Sequence, residues 1–216
     1  MADHLIPIPS PGQPLSFGRP GDPLVILVHD WYGRLPGLVA LGEGLVREGF
    51  RVVIPDLYSG VATLDDAEAE GLMTSLSVGV ALAELDDVIA TARAEGSSRV
   101  GVVGFSMGGW IALLHAQGGS EDAVVAYYST LAPRDHGVIP SPVLLQFAEF
   151  DEWEADETPE SFIDRLREHG TPVTEYRYVD TVHSFANADI QGKFAPRSAE
   201  LAFARTANFL VKHLLD

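Results

Sequence analysis

The chain reads as an α/β domain: a mainly parallel, twisted sheet covered by helices on both faces. Two patterns predict this. Short, continuous runs of β-branched and aliphatic residues recur along the chain, and the stretches between them carry helical spacing and end at glycines. Strands buried on both faces belong to parallel sheets, and right-handed β-α-β crossovers lay a helix over the sheet each time. A chain of 216 residues removes roughly 70% of its unfolded surface on folding, enough for one sizeable core. Residues 23–216 are therefore expected to form a single domain.

Residues 1–22 stand apart. Five prolines fall between positions 7 and 20, which suits an N-terminal arm or two short edge strands. The apolar runs that follow, read as strands, are Leu24 to Val28, Arg51 to Ile54, Val100 to Val103, Ala123 to Tyr128, Val143 to Phe147 and Val173 to Tyr178. Helical spacing appears at Leu38, Leu41 and Leu45 before Gly49, and at Leu82, Leu85, Val88, Ile89 and Ala92 before Gly96. It recurs at Ile111 and Leu114 before Gly118, and at Phe162, Ile163 and Leu166 before Gly170. Ala199, Phe203, Thr206, Leu210 and Leu214 form one stripe of a C-terminal helix. The acidic segment from Val61 to Thr74 is read as a short solvated helix.

Composition narrows the chemistry. Lys plus Arg number 14 against 31 Asp plus Glu, a formal net charge of −17, so the average field repels phosphate backbones and anionic headgroups. Nucleic acid and membrane partners are not expected. No apolar run approaches the roughly 20 residues needed to span a bilayer. The first twenty residues, with Asp3 near the start and five prolines, do not resemble a signal peptide, and a cytoplasmic location is expected. There is no cysteine, so a nucleophile has to come from another residue type.

Gly104-Phe105-Ser106-Met107-Gly108 follows the third predicted strand and precedes a helical run. The string alone is a weak signal in a chain with 21 glycines. Its context, strand before and helix after, matches the nucleophile elbow, a tight turn that lifts a serine hydroxyl above the carboxyl edge of a sheet. A serine hydroxyl needs an imidazole to take its proton and an acid to orient that imidazole. In this architecture the chain order is Ser, acid, His. Of the seven histidines, only His183 lies in the loop between the last strand and the last helix, where the base is required. Asp151, just beyond the strand that ends near Phe147, is the preferred acid over Glu149. The loop after the first long strand supplies the second oxyanion donor in such folds, which assigns the backbone N–H of Trp31 beside that of Met107. Asp30 either modulates the nucleophile from nearby or accepts amides of its own loop. Tyr32, Tyr58, Trp153 and Phe185 fall in loops at the same edge and are candidate pocket residues, though each could instead pack the loop bases.

These residues resemble the dienelactone hydrolase family of α/β hydrolases from about Pro23 to the C-terminus. His29-Asp30-Trp31-Tyr32-Gly33 is similar to its H-E-x-x-G loop, and Gly104 to Gly109 to its G-x-C-x-G-G elbow. Asp151 falls at its triad acid, and His183-Ser184-Phe185 resembles its H-G-F motif. The resemblance implies an α/β-hydrolase fold of about eight strands without a cap domain, and hydrolysis of small esters and lactones. Three departures stand out: Ser106 replaces the family's cysteine, Asp30 its glutamate, and Asn187 a carboxylate-gripping arginine. The stretch from Leu57 to Leu76 also holds no Arg or Lys, so dienelactone itself is not the expected substrate. The expectation is a serine esterase or lactonase acting through an acyl-enzyme on a small-molecule substrate, with no cofactor and no metal, as monomer or homodimer. A thioesterase and a non-catalytic ligand-binding member of the fold are the alternatives.

Overall fold

A computed structural model describes residues 4–152 and 158–216. Its centre is a seven-stranded sheet in which β3 (Leu24–Val28), β6 (Val100–Phe105), β7 (Ala123–Tyr127) and β8 (Val143–Phe150) are flanked by β4 (Arg51–Ile54) and β9 (Val173–Val182). All neighbouring pairs among these are parallel. The seventh strand, β2 (Leu15–Phe17), adds to β4 antiparallel and forms one edge. The observed sheet is thus one strand smaller than the family resemblance implied. The N-terminal segment divides: β2 joins the main sheet, whereas β1 (Leu5–Pro7) pairs antiparallel with β5 (Val61–Thr63) in a separate ribbon.

The central strands are buried along their whole length, as their unbroken apolar sequences require of a sheet covered on both faces. On one face, α3 (Val78–Ala94), α4 (Met107–Ala116) and α5 (Pro159–Glu168) pack with Ile26, Val102 and Leu145 into one cluster. On the other, α1 (Pro36–Arg47) and α6 (Pro196–Leu214) pack with Val25, Val103 and Leu144. Alternate residues of each strand therefore feed opposite cores. A buried polar network crosses the second core: Gln146 on β8 donates to Thr206 Oγ1 of α6 at 2.7 Å, and Thr206 also meets the Tyr127 hydroxyl at 2.8 Å.

The segment from Val61 to Thr74 departs from its reading as one solvated helix. Its first three residues form β5, and α2 (Asp66–Ser75) follows, with Asp65 as N-cap accepting from the Ala67 and Glu68 amides. A strand of three residues carries too little periodicity to stand out in the sequence. No helix among the described residues is long and apolar enough to cross a membrane.

Candidate active site

Four parallel strands deliver their carboxyl ends to one place: β3 leads into His29-Asp30-Trp31, β6 into Ser106, β8 into Asp151 and β9 into His183. Crevices beyond the carboxyl ends of parallel strands are where α/β sheets place their ligand sites. Ser106 sits between β6 and α4 with φ 52° and ψ −115°, a strained conformation for a residue with a Cβ. Its neighbours must be small. A Cβ on Gly104 would stand 2.1 Å from the Gly108 carbonyl oxygen, and one on Gly108 would stand 2.4 Å from the carbonyl oxygens of Val28 and His29. The elbow glycines thus let the first turn of α4 lie directly against the end of β3. That contact brings Met107, whose amide has no acceptor within its own helix, beside the loop carrying Trp31.

Ser106 Oγ lies 2.7 Å from His183 Nε2, and both carboxylate oxygens of Asp151 lie 2.8 Å from His183 Nδ1. Asp151 accepting at Nδ1 places the imidazole proton there and leaves Nε2 as acceptor for the serine hydroxyl. The partnership rests on an irregularity between β8 and β9. Ala148 pairs with Tyr178, but Phe150 pairs with Val182, so β9 holds two extra residues between these rungs. Asp180, at φ 56°, takes up part of the excess. The next residues, Asp151 and His183, then emerge side by side. Glu149 serves this irregularity: its carboxylate accepts the Asp180 amide at 2.6 Å.

Asp30 accepts the Tyr32 amide at 3.0 Å and the Asn187 side-chain amide at 2.8 Å. It thus ties its own loop, through Tyr32, to the loop after β9, through Asn187. Burial pushes its carboxyl up to about 6, with the Asn187 and Tyr32 donors pulling the other way. His29 beside it donates from Nδ1 to the Asp30 carbonyl at 2.7 Å and accepts the Leu57 amide at Nε2. Burial lowers its imidazole to about 4, so it is neutral near pH 7.

Beside Ser106 opens a cavity of about 410 Å³, lined on its apolar walls by Met73, Leu76, Val78, Met107, Trp110 and Phe147. Tyr128, Ser129 and Thr130 complete it next to Asp151 and His183. The expected aromatics are elsewhere. Tyr32 is fully buried with its hydroxyl on Asp66. Tyr58 donates to Met107 Sδ and packs on His29. Phe185 is fully buried against Tyr128 and Tyr178. All three are buried members of hydrophobic clusters: Tyr58 with Met107 and Val28, Phe185 with Tyr128 and Tyr178, and Tyr32 with Trp31 and Leu35. Trp153 lies outside the described residues.

Tyr128 is a site residue that the sequence reading missed. Its ring packs 4.9 Å from the His183 ring, and its position one residue beyond β7, in register with the elbow, was the available signal. A second depression of about 380 Å³ opens on another side of His183, bounded by Asp66, Phe150, Glu152, Val182 and Lys193. Among the described residues no His, Asp and Glu side chains group in threes so as to hold a metal ion.

Comparison with known proteins agrees with this architecture. The model of the dienelactone hydrolase family matches residues 16–214. The carboxymethylenebutenolidase of Pseudomonas putida is 25% identical over 203 residues, covering 87% of this chain and 85% of the relative. The protein usf of Aquifex pyrophilus is 26% identical over 207 residues, covering 90% of each. The solved structure m3DLH superposes with a TM-score of 0.72 at 21% identity, over 92% of this chain and 88% of that one, a likeness of fold. The chain belongs to the dienelactone hydrolase family and is a hydrolase acting on ester bonds.

Proposed function

We propose that the chain hydrolyses small neutral carboxylic esters or lactones through a serine acyl-enzyme. The observation that carries this reading is the continuous set of hydrogen-bond distances from Ser106 Oγ through His183 to Asp151, all between 2.7 and 2.8 Å. Ser106 Oγ attacks the carbonyl carbon while its proton passes to His183 Nε2. The Asp151 carboxylate holds the Nδ1 proton and stabilises the imidazolium. The Met107 and Trp31 amides face the developing oxyanion, a contribution of about 10²–10³ in rate per donor in comparable sites. The C–O bond to the alcohol then breaks, and the imidazolium protonates the departing oxygen. Water attacks the acyl-enzyme with His183 again as base, and Ser106 recovers its proton as the acid leaves. A lactone follows the same steps with alcohol and acid on one molecule. The carboxymethylenebutenolidase relatives act on such a ring, but the cavity here has no Arg or Lys among its described lining residues, which favours a neutral acyl group.

The test is hydrolysis of a short-chain p-nitrophenyl ester by the wild type and by Ser106→Ala. The variant is expected to lose a thousandfold or so in kcat, and a fluorophosphonate probe should label Ser106 in the folded wild type. Activity retained in Ser106→Ala would refute the reading.

A further inference from the structure

We infer that the junction between α2 and α3 is the acyl-length gauge of this enzyme, with Met73, Leu76 and Val78 selecting neutral acyl chains of about six to eight carbons. The inference rests on the serine acyl-enzyme reading and extends it to a substrate class. His183 borders two openings of different chemistry. One is the 410 Å³ cavity, with apolar walls and, among the described residues, no charged side chain apart from Asp151 and His183. The other is flanked by Asp66, Glu152 and Lys193. An ester divided at its carbonyl places its apolar acyl part in the first and its alcohol toward the second, where polar groups stay hydrated and His183 can protonate the departing oxygen. At ~30 Å³ per water-sized group, the first cavity has room for roughly a dozen such groups, which accommodates a medium chain and exceeds what an acetyl group fills. Burying each additional methylene is worth about 0.8 kcal/mol, so chains that extend along the wall bind better until they meet it.

The wall comes from one end of α2. In α2 only Ala69 is fully buried; Leu72 and Met73 pack against the adjoining core, and polar contacts fasten the opposite end. There the Tyr32 hydroxyl donates to Asp66, and Lys193 Nζ lies 3.3 Å from the same carboxylate and 2.8 Å from the Tyr32 oxygen. Met73, Leu76 and Val78 are half-buried and line the cavity together with Trp110 and Phe147. Met73 and Leu76 also pack on the outer edge of the core that α3, α4 and α5 share, so their side chains set the cavity's length at its boundary with that core.

The experiment is a series of p-nitrophenyl esters from acetate to dodecanoate, measured as kcat/KM for the wild type, Leu76→Trp and Met73→Ala, with folding checked by circular dichroism. The wild type is expected to peak at hexanoate or octanoate. Leu76→Trp should lower the octanoate-to-acetate ratio at least tenfold, in line with the discrimination that a methylene or two gives in an apolar pocket. Met73→Ala should move the optimum to longer chains. A wild-type profile that falls steadily from acetate, or folded variants whose ratios stay within twofold of the wild type, would overturn the inference. Absence of turnover for every ester in the wild type would overturn the acyl-enzyme reading itself.

Discussion

His29 and Asp30 are adjacent, buried and shifted in opposite directions with pH. Asp30 holds its proton more tightly in the folded chain, at about 6 against an ordinary 3.8, so its contribution to stability falls as pH rises from about 4 to about 6. His29 holds its proton less tightly, at about 4 against 6.5, so its contribution is lost as pH falls from about 6.5 to about 4. Each swing is on the order of 3 kcal/mol over its window, and in the wild type the two largely cancel. Single substitutions expose them. The stability of the wild type minus that of Asp30→Asn is expected to fall between pH 4.5 and 7, whereas wild type minus His29→Gln should rise. Urea melts at a few pH values read both slopes, and slopes of the same sign would contradict the buried, opposed assignment. The residue letters alone left Asp30 open between nucleophile modulator and loop acceptor. The choice depends on where its two oxygens point, and their partners, the Tyr32 and Asn187 amides, lie in different loops.

At the scale of elements, the irregular pairing of β8 with β9 decides whether acid and base meet. Thr181 ties it together: its hydroxyl donates to the Tyr178 carbonyl at 2.6 Å and accepts the Glu149 amide at 3.3 Å, and the residue is buried. Replacing it with valine keeps the shape but removes both bonds. Thr181→Val is therefore expected to cost about 1–3 kcal/mol in denaturant melts and to lower kcat more than it changes KM, because the His183–Asp151 alignment loosens while the cavity walls stay. A variant with unchanged kcat would show that the alignment is held by other contacts. The strand pattern, helix order and elbow were legible because buried apolar runs and glycine punctuation are local signals. The extensions of β8 to Phe150 and of β9 to Val182 were not. Glu149 and Asp180 carry no apolar pattern there, and their pairing is set by a left-handed residue and a side-chain cap that act across strands. For the same reason Asp151 could be preferred over Glu149 on position alone, while the structural task of Glu149 could not be read. The cavity walls were equally hidden, since α2 reaches the site only through tertiary packing.

Over the whole molecule, the charge of −17 surrounds a site whose main cavity has no Lys or Arg among the described residues. Lys193, at the second opening, is already beside Asp66, so its charge is partly compensated. A negatively charged ester therefore approaches against the field of the entire chain, and nothing local in the cavity reverses that repulsion. Because the effect is long-range, salt should weaken it. Between about 10 mM and 1 M ionic strength the Debye length contracts from ~30 Å to ~3 Å, from roughly the width of a small domain to the size of a single contact. The kcat/KM for an ester carrying a carboxylate on its acyl chain should rise several-fold over this range, while that of a neutral ester of equal length stays nearly constant. Comparing the pair across a salt series separates repulsion by the field from poor fit in the cavity: a fit penalty is independent of ionic strength. If the ratio of neutral to anionic kcat/KM does not change with salt, discrimination against anions comes from the walls of the cavity, and the acidic surface plays no part in choosing the substrate.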